Sequence, residues 1–169
     1  MKPRGFTIVE IVITLTIMGI LMVLAVVNLT GTQANGRDAK RKSDIETIAI
    51  NLENYYNSGS GEYPPITLID SMSEYLPNLD KNSIMAPGII DPNSTFKVAT
   101  NSIQTTAGVL PSPTIDDYIY QPITNSGALC INSTLECRKF NLFYRLEIAV
   151  ISPDCPDPGN ICKLTSKHQ

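Results

Sequence analysis

The longest hydrophobic pattern of the chain lies near its start, where residues 6–29 are dominated by Ile, Val, Leu and Met. A helix of this length rises about 36 Å, which exceeds the roughly 30 Å thickness of a bilayer hydrocarbon core. Glu10 is the only charged residue in the run. A carboxylate costs about 2.5–3.5 kcal/mol at the centre of a membrane, so a chain that retains one is expected to use it. The pattern therefore predicts a membrane-spanning helix with one functional carboxylate.

A second helical pattern follows a bridge of small and polar residues. Its apolar positions recur every three or four residues and form one stripe. The stripe consists of Ile45, Ile48, Ala49, Leu52, Tyr55 and Tyr56. We predict an amphipathic helix over residues 30–57 whose stripe packs against a sheet. Gly31 and Gly36 weaken a helix locally, so the pattern by itself permits one long helix or two shorter ones.

The rest of the chain has loop and strand patterns. Residues 58–117 are rich in Pro, Ser, Thr and Asn without sustained periodicity, and we interpret them as a connecting loop region. In residues 118–169, alternating apolar and polar positions predict strands at 118–121, 128–132 and 139–151. Turn-forming residues between the first two strands favour an antiparallel sheet. The predicted fold class is therefore α+β, a long N-terminal helix packed on a small antiparallel sheet.

Length, charge and motif content restrict the function. After removal of the span, the chain of 169 residues leaves about 120 for one small globular domain. The net charge is −3, and loss of Lys2 and Arg4 with an N-terminal leader would leave 11 basic against 16 acidic side chains. This balance argues against nucleic acid as a partner. The one histidine, His168, is next to last and no nucleotide-binding motif is present, so we expect neither an enzyme nor a cofactor.

Four cysteines occur as two pairs, each separated by six residues. The pairs are Cys130 with Cys137, and Cys155 with Cys162. Disulfides are the natural interpretation in a domain outside the cytoplasm, and three connectivities are possible. We prefer the two local ones, each of which closes a loop of about eight residues and contributes about 2.5 kcal/mol. A zinc site is the alternative, although its ligands are usually two to four residues apart.

A specific motif, Gly-Phe-Thr-Ile-Val-Glu, occupies residues 5–10 behind a short basic stretch. With the apolar run behind it, this motif resembles the class III signal of type IV pilins and pseudopilins. The resemblance implies that a membrane-embedded aspartyl prepilin peptidase cuts between Gly5 and Phe6, removes the leader 1–5 and methylates the Phe6 amine. The apolar helix then remains in the mature product.

The resemblance also implies how subunits assemble. Glu10 of one subunit faces the Phe6 amine of a neighbour while a helical filament of this chain, with other pilins or pseudopilins, is built by an assembly platform and its ATPase. Opposite charges attract strongly at low dielectric and offset each other's desolvation, and a carboxylate also suits the first turn of a helix. The subunit waits in the cytoplasmic membrane as a single-pass protein with its C-terminal domain outside, and the filament reaches the cell surface.

Looser similarities link the rest of the chain to the same family. Residues 52–64 resemble the helix end of pilins and of the major pseudopilin of type II secretion, and residues 118–147 resemble the pilin sheet. The family favours one long helix and places residues 85–106 near solvent or a partner. Some pseudopilins bind calcium through a C-terminal loop, where this chain has Asp154 and Asp157. Further hard-oxygen ligands are not evident, so we predict no metal site and keep these aspartates as calcium candidates only.

Other interpretations of the N-terminal half stay open. A basic cluster of Arg37, Lys40, Arg41 and Lys42 follows the span. It can contact anionic headgroups, be solvated and paired with nearby acids, or bind DNA, and we favour the first two. An ordinary secretory signal has a shorter apolar core and a small-residue cleavage site. A plain anchor leaves the Gly-Phe junction and the glutamate unexplained, whereas a secretion or DNA-uptake pseudopilin shares the pilin chemistry. A tethered binding domain that never assembles is the rival from another class.

Overall fold

The computed structural model describes residues 5–59, 61–89, 91, 95–156 and 159–168, except for the side chains of 26–30. One helix, α1, runs Ile8–Ser58. The Thr7 hydroxyl accepts a hydrogen bond from the Glu10 backbone N–H at 3.3 Å and so caps its first turn. The single long helix expected from the family is confirmed. The chain divides into two compact units, Met1–Gly36 and Arg37–Gln169.

Four strands of the second unit form one mixed sheet. They are β1 (Phe96–Val98), β2 (Tyr118–Thr124), β3 (Cys137–Arg145) and β4 (Ile161–Thr165), side by side in that order. The last three strands are antiparallel, whereas β1 runs parallel to β2. The α+β class is thus confirmed, but the sheet is not purely antiparallel. The difference arises because β1 comes from the predicted connecting loop and is too short to give a periodic signal.

Strand boundaries also differ from the sequence prediction. The strand predicted at residues 139–151 is β3, which ends at Arg145. The Leu146 N–H still donates to the Asn160 carbonyl at 2.9 Å, but those of Glu147 and Ile148 donate to the Asp38 carboxylate at 2.9 and 3.0 Å and so leave the ladder. The segment 128–132 makes a one-residue bridge instead of a strand. Strand β4 is not evident from the sequence, since it is five residues long and contains a cysteine.

The apolar stripe of α1 packs on one face of the sheet, as predicted. Ile45, Ile48 and Leu52 are almost fully buried against side chains of β2 and β3 such as Tyr120 and Phe140. Alternation along the strands sends every second side chain to this face. The face therefore provides the main core of the second unit.

The opposite face of the sheet is covered by the segment between β1 and β2. Ala99 and Val109 of this segment pack on Ile119 and Phe143. The expectation that residues 85–106 lie near solvent or a partner holds for only part of this stretch: residues 100 and 102–105 are exposed, whereas Thr95, Phe96, Ala99 and Thr106 are buried. The segment folds back because Ile119 and Phe143 present a second apolar surface that must be removed from water.

Both disulfides are local. Cys130 is bonded to Cys137, and Cys155 to Cys162. This is the pairing preferred from the spacing. The first disulfide lies beside the chain that leaves α1, because the Tyr63 N–H donates to the Cys137 carbonyl at 2.8 Å. The Cys155–Cys162 bond connects β4 to the loop before it.

Candidate functional site

The first unit presents an uncovered apolar surface. Its segment Ile8–Ala25 has a mean hydropathy of 2.6 and is long and apolar enough, by length and composition, to cross a membrane. Each large apolar side chain described in residues 6–24 is exposed, from 47% for Ile11 to 84% for Ile8. A continuous apolar surface of this kind is unfavourable in water and calls for lipid or other helices as neighbours.

The predicted processing and assembly residues lie at the start of this segment. Gly5 and Phe6 precede α1, and Glu10 is in its first turn. A Cβ added to Gly5 would meet no atom within 4 Å, so the fold of this chain does not require glycine there. The Glu10 side chain is exposed and forms no ion pair with any residue that the structure describes.

The basic cluster that follows the span is not a uniform charged surface. Arg41 is only 1% exposed, and its Nη1 donates to the carboxylates of Asp38 at 2.8 Å and of Glu147 at 2.7 Å. Arg37 donates to the two oxygens of Glu147 at 2.7 and 2.5 Å. The interpretation of this cluster as solvated or bound to headgroups is therefore wrong for Arg41. Pairing with nearby acids is confirmed instead, because Lys40 also pairs with Asp44.

This network joins α1 to the end of β3. Asp38 and Arg41 are three residues apart on the helix and so share one face. Asp38 accepts hydrogen bonds from the backbone beyond β3, and Arg41 Nε donates to the Ile115 carbonyl at 3.0 Å. Each charge has an opposite charge and further hydrogen bonds, which is what a buried ionic group needs. Arg41 thus connects α1 both to the residues that follow β3 and to the segment before β2.

Acid should weaken this network. The hydrogen bond from Arg37 and the nearby Arg41 lower the pKa of Glu147 from 4.5 to about 2. A carboxylate with a lowered pKa stabilises the fold above its unfolded pKa and loses that contribution as pH falls toward its folded pKa. We therefore expect the unfolding temperature of the detergent-solubilised chain to fall between about pH 4.5 and about pH 2. Circular dichroism melts of the wild type and of Glu147→Gln test this.

The glutamine variant is the control, because it cannot titrate at this position. Its stability should be lower at neutral pH and should change less between pH 4.5 and pH 2 than that of the wild type. Equal pH slopes for the two chains would show that Glu147 does not carry the acid sensitivity.

A second group of partners was not evident from the sequence. The buried Glu53 carboxylate accepts hydrogen bonds from the Tyr63 hydroxyl at 3.0 Å and from the Lys167 N–H at 2.9 Å. His168 Nε2 lies 3.5 Å from Glu53, and its ring stacks on Tyr56 with centroids 4.4 Å apart. His168 therefore belongs to a contact that fastens residues 167–168 to α1. No local pattern could reveal it, because more than 100 residues separate the partners.

Of the two calcium candidates, the structure describes only Asp154. Asp154 is exposed, and its backbone carbonyl accepts a hydrogen bond from the Lys163 N–H at 2.7 Å. Asp157 lies outside the described residues. Among the residues that are described, no three His, Cys, Asp or Glu side chains are grouped so that they could hold a metal ion.

Comparisons with known proteins cover only part of the chain. Residues 1–26 match the family model described as the prokaryotic N-terminal methylation motif. Type II secretion system core protein G of Dickeya chrysanthemi is 36% identical over 63 residues, which cover 37% of this chain and 40% of that protein. The chain therefore matches less than half the length of this curated relative. No solved structure matches the chain. The chain thus carries the class III signal of the type IV pilin and pseudopilin family, together with an α+β domain consistent with the pilin fold.

Proposed function

We propose that this chain is a subunit of a pilin-like filament. A prepilin peptidase cuts it between Gly5 and Phe6, the apolar helix holds it in the cytoplasmic membrane, and the same helix assembles it into the filament. The observation that carries this proposal is the methylation motif at residues 1–26, which includes an apolar helical segment, Ile8–Ala25, whose side chains are exposed.

The apolar helix serves both stages, storage in the membrane and assembly into the filament. Lipid covers its side chains while the subunit waits in the membrane. Removal from lipid would be very costly unless equally apolar surfaces replace the lipid, so neighbouring copies, or other pilins and pseudopilins, must bury it in the filament. The energy for extraction comes from an assembly ATPase acting through a platform protein. The two disulfides suit a domain on the oxidising, outer side of the membrane.

Glu10 and the new amine of Phe6 supply the charge pairing between subunits. Cleavage creates a cationic amine four residues before Glu10, and the carboxylate has no cation within the described part of its own chain. In an apolar filament core, each charge would be costly alone and is stabilised by the other. The pair therefore fixes where an incoming helix sits relative to its neighbour.

Replacing Glu10 with alanine tests this assembly step. We expect normal cleavage but at least about a tenfold lower filament yield, because an unpaired amine in an apolar core costs more than 1.4 kcal/mol. The measurement is an immunoblot of sheared filaments, with mass spectrometry of the membrane fraction to verify the mature start.

Thr16→Ala provides a matched control in the same helix. The Thr16 hydroxyl donates to the Val12 carbonyl of its own helix at 2.8 Å, so its loss should leave the yield unchanged. Normal filament yield from Glu10→Ala would contradict the proposed pairing. A tethered domain that never assembles would instead give no filaments from the wild type or from either variant.

A second candidate is a pseudopilin of a secretion machine. The similarity to core protein G favours it, because that relative is named as part of a type II secretion system. Deletion of the gene separates the two candidates. If the wild type carries surface fibres composed mainly of this chain and the deletion strain loses them, the pilus is supported. If the wild type has no visible fibres and the deletion strain has a secretion defect, the pseudopilin is supported.

A further inference from the structure

A cleft of about 610 Å³ lies between the C-terminal turns of α1 and the short helix α2, Met72–Tyr75, with the residues that follow it. It is lined by amide, hydroxyl and aromatic side chains. On α1, Asn51, Asn54 and Ser58 follow one another at intervals of three and four residues, which places them on one helix face. Its size is within the range of small-molecule sites. None of its lining residues belongs to the apolar segment Ile8–Ala25 or to the ion-pair network of Arg41.

Most polar side chains of this cleft make no hydrogen bond or ion pair with other side chains in the described part of the chain. Asn51 donates to the Thr47 carbonyl at 2.9 Å and is therefore committed. By contrast, the side-chain amides of Asn54, Asn57 and Asn78 make no hydrogen bond with any described residue. The Glu74 carboxylate likewise has no cationic partner there. Four side chains that could bind a ligand thus converge on one concave surface.

Two tyrosine rings, together with Leu76 and Pro77, form the apolar part of the lining. Tyr55 and Tyr75 meet edge to face, with ring centroids 5.8 Å apart and an angle of 61° between the planes. Both rings are half-buried, and burial raises the pKa of the Tyr55 hydroxyl. Rings held in this way offer a fixed apolar surface with a hydroxyl at its edge.

The chemistry of the lining selects a class of ligand. Amide groups both donate and accept hydrogen bonds, as sugar hydroxyls do, and aromatic rings pack against the apolar C–H face of a sugar. The lining contains no Lys or Arg, and its one charge is the negative charge of Glu74. A phosphate or sulfate group would therefore be repelled. We propose that this cleft binds a neutral disaccharide.

This proposal does not depend on filament assembly, so it can be tested on the purified subunit. Saturation-transfer difference NMR would use the full chain in a detergent without a sugar headgroup. The probes are maltose, cellobiose, lactose and N,N′-diacetylchitobiose, with lactose 6′-phosphate as the anionic counterpart of lactose. We expect saturable binding of at least one neutral disaccharide, and at least about tenfold weaker binding of the phosphate sugar, a difference of 1.4 kcal/mol.

Asn54→Ala tests whether the cleft is the site. Asn54 is exposed, so its loss should not unfold the domain, and removal of its hydrogen bonds should weaken disaccharide binding about three- to tenfold. Asn125→Ala, at an exposed turn after β2, is the matched control and should bind as the wild type does. The proposal is overturned if none of the four disaccharides binds saturably, if Asn54→Ala binds as Asn125→Ala does, or if the phosphate sugar binds more tightly.

Discussion

Replacing Arg41 with alanine is expected to lower the free energy of unfolding by about 3–5 kcal/mol, because it removes the buried partner of two carboxylates. Asp38 would lose its cation, and Glu147 would keep only Arg37. The Ile115 carbonyl would also lose its hydrogen bond from Arg41. Since domains are typically stable by only 5–15 kcal/mol, this is a large part of the total.

The measurement is chemical or thermal unfolding of the detergent-solubilised chain followed by circular dichroism. For a domain of this size the expected loss corresponds to a fall in melting temperature of about 10–20 °C. Lys42→Ala is the matched control, since Lys42 is an exposed neighbour without an ion pair among the described residues. Its effect should stay within about 0.5 kcal/mol. Equal losses for the two variants would mean that the buried network contributes no more than a surface charge.

Replacing Gly5 with leucine is expected to leave nearly all of the chain as full-length precursor. The peptidase must bind the residue before the scissile bond closely, and a pocket fitted to glycine rejects a bulky side chain by about 100-fold or more. The chain itself tolerates the change, because a Cβ at Gly5 meets no neighbouring atom. A lower yield of mature product would therefore report on recognition rather than on folding.

Mass spectrometry of the membrane fraction measures this outcome, because the mature product lacks the mass of the leader and gains that of a methyl group on Phe6. Gly19→Leu is the matched control, because an added Cβ at Gly19 also meets no atom within 4 Å. It lies within the span and away from the cut, so processing should be normal. Mature product of ordinary size from Gly5→Leu would argue against cleavage by a prepilin peptidase.

The sequence predicted those elements in which apolar residues recur at regular intervals because one face of the element is buried. The α1 stripe at Ile45, Ile48 and Leu52 and the alternation along β3 were predicted because neighbouring residues share one environment. The equal cysteine spacings likewise indicated two short loops. Each of these signals is contained within a short stretch of chain.

Features that depend on distant partners were not predicted. Arg41 looked like one member of a basic surface cluster, because Glu147 is 106 residues away in the sequence. Strand β1 has three residues and exists only through its pairing with β2. The cleft beside Tyr55 and Tyr75 requires two segments that the fold brings together. Tertiary contacts of this kind leave no periodic trace.

The contact of Lys167 and His168 with Glu53 has a practical consequence for handling the protein. A polyhistidine affinity tag fused after residue 169 would place extra imidazole groups beside the carboxylate that His168 and the Lys167 N–H already contact. Such a tag would compete for Glu53 and loosen this contact. The exposed turn at residues 125–126, between β2 and β3, is a better site for an epitope insertion.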